Sequence, residues 1–421
     1  MNKYSLSALA AAGLLAGGLA TSANAADLGG NCCADLEERV AELEATTARK
    51  GNRKVSLTVS GWVAEQVTWW DDGVESNSYV TGTGTTLGSN VKFTGQATIV
   101  PGWTAGYVLH LEMDGSDALT TNQDRPNGPG LFAGTANYAQ TLQSYWFIKS
   151  DTFGKVGVGL QSMVADNAAI LVDGSGSLVP ANWVAFDVLS FGIRAKGVGG
   201  RGFVQADRTP GGVLGSTDPD AAFTWGGAGA CIPGDCYGVP VNSVRYDSPV
   251  FAGFSASASW GDDDAWDIGL RYAGELHGFK VAATVVYAES TGTVSSSFGD
   301  SDYTQAGLYI QHIGTGIFGL INYGELDDHV ADTDGDTWYF KAGLRRNWNH
   351  LGATVLYGEY MNSDKDDSFD SEFKWWGLGA VQEVDAAAMS LWLKYRNYEF
   401  EDNVNSYEDL SEVTFGALIN F

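Results

Sequence analysis

Val413-Thr414-Phe415-Gly416-Ala417-Leu418-Ile419-Asn420-Phe421 closes the chain and alternates without a break. Val413, Phe415, Ala417, Ile419 and Phe421 share one side; Thr414, Gly416, Leu418 and Asn420 share the other. Successive side chains of a strand point to opposite faces. The stretch therefore reads as a strand with one apolar face and one face of smaller and more polar residues. That division is what a strand needs between lipid and an aqueous lumen. A single strand of a soluble sheet could show it too. Its recurrence along the whole chain is what favours a lipid-facing wall.

The same alternation starts at Val55, where Val55, Leu57, Val59, Gly61 and Val63 interleave with Ser56, Thr58, Ser60, Trp62 and Ala64. Between these ends, short turns such as Pro101-Gly102, Ser248-Pro249 and Gly314 to Gly316 take turns with long polar connections. The long ones are 71–88, 114–138, 290–301, 325–335, 362–371 and 399–410. Short turns on one rim and long loops on the other are the asymmetry of a transmembrane barrel. The reading gives sixteen strands, from 54–70 to 410–421, and an even number leaves both ends on the short-turn side. It also leaves residues 162–240 as one connection between the fifth strand (154–161) and the sixth (241–248). So long a loop has room inside a wide barrel. Its apolar pieces, Ala168 to Val172 and Trp183 to Phe191, suit a fold into the lumen, or a further hairpin and eighteen strands.

Composition agrees. The 421 residues include 55 Gly, 14 Trp, 18 Tyr and 19 Phe against 9 Pro, which suits many strands, tight turns and aromatic girdles. Residues 1–25 read as a signal peptide: Lys3, an apolar run from Leu6 to Leu19, and the small-x-small site Ala23-Asn24-Ala25. No other stretch approaches the roughly 20 apolar residues of a spanning helix. With Lys3 removed, 23 basic residues face 51 acidic ones, a formal net charge of −28. Such acidity argues against nucleic acid. It suits loops that face an anionic leaflet or hold divalent cations.

Residues 26–53 form a separate segment. Leu36, Val40 and Leu43, with Cys33 and Thr47, follow 3-4 spacing as the seam of a short coiled coil over 33–48. A helix of that length is marginal alone, so it makes sense where several chains bring their helices together. The alternative is a helix lying against the barrel or partly disordered. Arg49, Lys50, Arg53 and Lys54 follow as a basic linker. Cys231 and Cys236 flank Ile232-Pro233-Gly234-Asp235, a turn that lets them meet as a disulfide in an oxidising compartment. A metal site there lacks further His or Cys. Cys32 and Cys33 are adjacent and cannot easily bridge each other.

Several stretches resemble a known family. Ser243-Val-Arg-Tyr-Asp-Ser-Pro-Val-Phe-Ala-Gly-Phe-Ser255 resembles the strand–turn–strand after the constriction loop of general porins. Asn31 to Gly61, Gly154 to Gly159 and Arg271-Tyr-Ala-Gly-Glu275 resemble the alphaproteobacterial, rhizobial-type porins. A final strand ending in Phe421 also resembles the closing signal of outer-membrane β-barrels. The resemblance implies an all-β, 16-stranded antiparallel barrel over 54–421, water-filled and trimeric, in the outer membrane of a Gram-negative cell. Its third external loop, here 162–240, would narrow the pore. The implied partners are two further copies of the chain, outer-membrane lipid and lipopolysaccharide, and the barrel-assembly machinery.

Such a channel needs no catalyst and no cofactor, and charge at its narrow place decides which ions pass. Strand parity assigns Arg245, Arg271, Lys280, Lys341, Arg345, Lys394 and Arg396 to the lumen, opposite Tyr246, Tyr272, Phe279, Phe340, Leu344, Leu393 and Tyr395. A cation facing lipid at mid-membrane costs about 2–4 kcal/mol. Asp166, Asp173 and Asp187 are the candidate loop carboxylates opposite them. The net charge favours a weak cation preference, which the basic wall opposes. A sugar-specific channel is the second reading, carried by the inward parity of Trp62, Trp70 and Trp392. A barrel enzyme is a third, for which His110, His277, His312, His329 and His350 give no catalytic set. A structural tether through the N-terminal helix is a fourth. Gly197-x-Gly199-x-x-Gly202 lacks the βαβ unit of a dinucleotide site. Asp332, Asp334 and Asp336 open like a calcium loop, yet Gly343 stands where the twelfth-position Glu belongs.

Overall fold

The computed structural model describes residues 54–421 apart from 85, 114–117, 127–138, 199, 206–218, 220–221, 231–234 and 292–298. The segments expected as signal peptide, as coiled-coil seam (Leu36, Val40 and Leu43) and as linker up to Arg53 lie outside the described residues.

The wall is a single antiparallel sheet. Its strands are β1 (Thr58–Asp71), β2 (Ser76–Thr81), β3 (Asn90–Val100), β4 (Trp103–Met113), β5 (Ala139–Ser150), β6 (Gly154–Gln161), β7 (Val241–Asp247), β8 (Phe254–Gly261) and β9 (Trp266–Leu276). They continue as β10 (Phe279–Thr291), β11 (Asp300–His312), β12 (Ile317–Asp328), β13 (Thr333–Arg346), β14 (Thr354–Asp366), β15 (Ser371–Val384), β16 (Met389–Glu401) and β17 (Leu410–Asn420). From β3 onward sequential strands pair, β1 pairs with both β2 and β3, and β1 pairs β17 to close the ring. β2 and β3 share one place around it. Gln66–Asp71 of β1 pairs with β2, and Thr58–Trp62 with β3. The ring thus has sixteen positions. Between the two halves, Ser89 Oγ bridges the main chain of Ala64, accepting from its N–H at 3.0 Å and donating to its carbonyl at 3.2 Å.

β2 lies inside the connection expected over 71–88, because Tyr79 in and Val80 out is too short an alternation to stand out among Ser, Asn and Thr. The connections expected at 325–335 and 362–371 are hairpin tips of 329–332 and 367–370, and the last shrinks to 402–409. Ladder hydrogen bonds carry the strands above the apolar band, where an apolar outer set no longer marks them.

Side chains divide by face. Val63, Val67 and Trp69 on β1 and Phe415 and Ile419 on β17 are exposed. Their neighbours Ala64, Gln66, Thr68, Thr414 and Leu418 are buried. Aromatic pairs mark two belts on the outer face: Trp103–Phe153 and Phe254–Tyr272 at the short-turn rim, Trp266–Tyr287 and Tyr323–Trp338 toward the other.

β6, β7 and β8 hold 8, 7 and 8 residues, whereas β10–β17 hold 11–14. The connection 162–240 therefore leaves the wall well below the rim. Trp183, Val188, Phe191, Ile193 and Trp225 from it share a buried cluster with Tyr339, Val355, Tyr357, Phe373, Trp375 and Tyr398 of β13–β16. Val164, Ala165 and Ala168 join Val286, Ala288 and Tyr303 in a second. Among its described residues, 162–240 forms no strand of the wall: it makes isolated bridges (Gly192 to Thr224, Arg194 to Phe203, Gln205 to Ala222) and short 3-10 turns. The eighteen-strand alternative does not hold for them.

Candidate functional site

The inner face of β13–β16 presents the expected cations, and the connection brings acceptors to them. Lys341 Nζ donates to Asp173 Oδ2 at 2.5 Å and to the Ala181 carbonyl at 2.6 Å. Lys394 pairs with Asp187 and lies 3.3 Å from Glu412. Arg396 makes a two-pronged pair with Glu359 at 2.7 and 3.0 Å and donates to the Asn182 carbonyl at 2.9 Å. Arg345 grips both oxygens of Glu383 at 2.6 Å and the Ser175 carbonyl at 2.9 Å. Lys341, Lys394 and Arg396 are almost fully buried. Removing one partner of such a pair costs about 3–5 kcal/mol, because the other charge is left stranded. These contacts act as fixings, and they hold the connection against the wall.

On the opposite side, Arg245 pairs with Asp247 at 2.9 Å and donates to the carbonyls of Ser162 and Met163, both at 3.0 Å. Arg271 Nη2 donates to the Val164 carbonyl at 2.9 Å. Lys280 stands one residue beyond the β9–β10 turn, half-buried, and forms no ion pair among the described residues.

Of the three loop carboxylates, Asp173 and Asp187 meet the wall cations and Asp166 does not. Asn167 Nδ2 donates to Asp166 Oδ1. Burial pushes the Asp166 carboxyl up to about 6, against the pull of Ser162, Asn167 and Arg245. Asp235 accepts from Asn167 N at 3.2 Å and Gln305 Nε2 at 3.1 Å, and burial and then Asp166 hold it well above the carboxylate range. Cys231 lies outside the described residues, and Cys236 lies within them.

The counterions Glu359, Glu383, Glu412 and Asp247 are not among the residues singled out from the sequence. Parity would have found each of them, since it applies to carboxylates as well as to cations. A second network has no such signal because its members sit in connections. Buried Arg194 reaches Asp72 at 2.7 Å and also Glu75, and Arg201 reaches Glu75 and Asp124 at 2.6 Å each. Burial raises the Glu75 carboxyl, yet Arg201 and Arg194 win and hold it below its ordinary value. This network ties 72–75, 118–126 and 190–205 together.

The three tryptophans form no open aromatic track. Trp62, Trp70 and Trp392 do face inward, but they are 7%, 1% and 2% exposed, packed under the connection. Asp334 and Asp336 lie in β13, opposite Asp327 and Glu325, so they do not form a loop with Asp332. Among the described residues no group of three or more His, Cys, Asp or Glu side chains is arranged to hold a metal ion.

A closed antiparallel ring with an apolar outer face, a polar inner face and a long connection fixed against that inner face defines a membrane channel of the outer-membrane type. The chain belongs to the Gram-negative porin family, which it matches over residues 6–417. That family places it in the outer membrane and among channel proteins. In fold it is similar to the anion-selective porin from Comamonas acidovorans: TM-score 0.54, 16% identity, 87% of this chain and 100% of that one. It is also similar to OmpT of Vibrio cholerae (TM-score 0.51, 10% identity, 88% and 99% of the two chains). The channel DcaP of Acinetobacter baumannii gives TM-score 0.51 at 9% identity, over 89% and 99%. A chitoporin of Vibrio furnissii is 30% identical over 162 residues, which are 37% of this chain. The chain spans 41% of that relative's length.

Proposed function

We propose that the protein is a homotrimeric general diffusion porin of the rhizobial type, passing small hydrophilic solutes and ions, with 162–240 as its constriction loop. The observation that carries this reading is the pair of buried links from loop to wall, Lys341–Asp173 and Lys394–Asp187. A segment pinned by such links is a permanent narrowing of the lumen, and a mobile plug would not be built that way. Arg245, Arg271, Lys280, Lys341, Arg345, Lys394 and Arg396 are then pore-lining residues, most of them neutralised by a carboxylate. The trimer is supported by a solved trimeric form of the Vibrio cholerae neighbour. The acidic rim would meet outer-membrane lipid and lipopolysaccharide through divalent cations, and the barrel-assembly machinery would insert the barrel.

With the wall neutralised, the net charge of the mouths governs selectivity. Planar-bilayer recording under a salt gradient should give a reversal potential of modest cation preference that fades as salt screens the mouths. Clear anion preference would overturn this. A sugar-specific channel is the competing reading, favoured by the partial match to a chitoporin. Saturable block by a chito-oligosaccharide, absent with an unrelated sugar of equal size, would establish it instead.

Cys231 and Cys236 are proposed to pair and close a small ring at the end of the loop. Mass spectrometry of non-reduced peptides should find the linked pair; free thiols at both positions end the claim.

A further inference from the structure

Arg271 is the inward guanidinium whose neutralisation differs from the rest. Its one hydrogen bond among the described residues runs to a main-chain carbonyl, Val164 O. A guanidinium has five N–H donors in a planar fork, so most of its capacity faces elsewhere. Arg245 grips the two preceding carbonyls, those of Ser162 and Met163. Two guanidiniums on three consecutive carbonyls must lie close together. Lys155 on β6 completes the group: its Nζ is 3.0 Å from Asp247 Oδ2, and Asp247 also takes Arg245 at 2.9 Å and the Ser257 hydroxyl at 2.8 Å.

Among the described residues the accessible carboxylate of this group is Asp247, and it is already taken by Arg245, Lys155 and the Ser257 hydroxyl, with Arg271 left on a carbonyl. Asp267 is buried and occupied by Ala165 N at 2.8 Å and by the Ser259 hydroxyl. Asp166 is buried as well. The cations reach water: the Arg245 and Lys155 side chains are 13% and 21% exposed, and Arg271 is half-buried. The pairs Lys155–Asp247 and Arg271–Ser255 fix the group on the short-turn side of the point where the constriction loop leaves β6. Between the cations, β8 presents the small inward residues Ser255 and Ser257, the second of them bonded to Asp247.

We propose that Arg271, Arg245 and Lys155 form an anion subsite on the periplasmic side of the constriction, which takes a small multivalent oxyanion of the phosphate type. It rests on the porin reading and adds to it a solute class. The planar fork of an Arg matches two oxygens of a tetrahedral anion, and charge-assisted bonds of this kind are the strong ones. A weak site next to a constriction speeds passage by holding the solute and then releasing it. The negative mouths and this subsite do not conflict, because screening confines each field to about 10 Å at 0.1 M salt.

Single-channel recording at pH 8 tests the proposal. Inorganic phosphate replaces chloride on the periplasmic side at constant ionic strength. Conductance should fall with phosphate and saturate, and the effect should be stronger from that side than from the other. Arg271→Gln should raise the half-effect concentration roughly tenfold or more, the scale of one charged hydrogen bond lost, and Arg271→Lys should raise it less. Should Arg271→Gln fail to insert, Lys155→Gln carries the same comparison without touching the loop carbonyls. An open channel indifferent to phosphate, or one equally sensitive in wild type and variants, overturns the subsite and leaves the porin reading standing. A protein that inserts and never conducts overturns both.

Discussion

Trp392 packs its ring onto Gly416, where no room is left for a Cβ. Tyr357 does the same to Gly379 on the neighbouring strand pair, and Phe318 to Gly343. A glycine in a strand interior loses cross-strand packing, and a ring laid over it restores contact. These inward aromatics are structural lids on glycines, which is why they are not free to bind a sugar. Asp166 is the residue at which energetics and position diverge. Its carboxyl titrates at about 6 in the folded state because burial disfavours its charge. An unfolded Asp titrates near 3.9. Between these values the folded state holds a proton that the unfolded state lacks, so stability falls as pH rises through that window and stays lowered above it. Asp166→Asn removes the charge. Its urea midpoint in micelles should exceed that of wild type at pH 8, with an unfolding free energy higher by no more than about 3 kcal/mol at roughly 1.4 kcal/mol per unit. The two should converge near pH 4. Equal midpoints at both pH values would refute the burial argument.

The closing element is β17, and its last ladder bonds lie beyond the strand proper. Gly61 N donates to Phe421 O at 3.1 Å, and Phe421 N donates to Gly61 O at 3.0 Å. Phe421 itself is 61% exposed on the outer face and packs little. Removing it deletes one reciprocal pair out of a ladder that runs from Trp62–Asn420 to Asp71–Ser411. The finished barrel should therefore lose little heat stability, while insertion, which must bring β17 to β1, should suffer far more. Comparable outer-membrane levels for the truncated and full-length chains would sink this expectation. The connection 162–240 behaves as the opposite kind of element. Its described residues have almost no regular structure and are held by side chains: Asp173 and Asp187 by lysines, Ser175 and Asn182 through their carbonyls by arginines.

At the scale of the whole molecule, trimerisation is the open quantity. If the seam of Leu36, Val40 and Leu43 joins three chains, deleting residues 27–48 should weaken the trimer on native gels. An equally stable trimer would remove the helix from assembly and leave the barrel wall as the interface. The sequence by itself determined the wall. A period of two needs no tertiary information, so the sixteen positions, the face of Lys341, Arg345, Lys394 and Arg396, and the closure at Phe421 were all legible. Lipid excludes charge, which makes parity decisive wherever a strand crosses the apolar band. The same logic fails outside that band. It missed β2, ended β12, β14, β15 and β16 too early and started β13 too late, and had nothing to offer for Arg194 or Asp72. Partners within 162–240 depend on where an irregular chain comes to rest, and no local period encodes that. Parity placed the cations on the inner face, but only the tertiary structure decided that Asp173 and Asp187 neutralise Lys341 and Lys394 while Asp166 stays apart. It alone decided, too, that Arg271 meets a carbonyl where its neighbours meet carboxylates, because those pairings join residues more than 100 positions apart through a fold that the strand pattern bounds but does not specify.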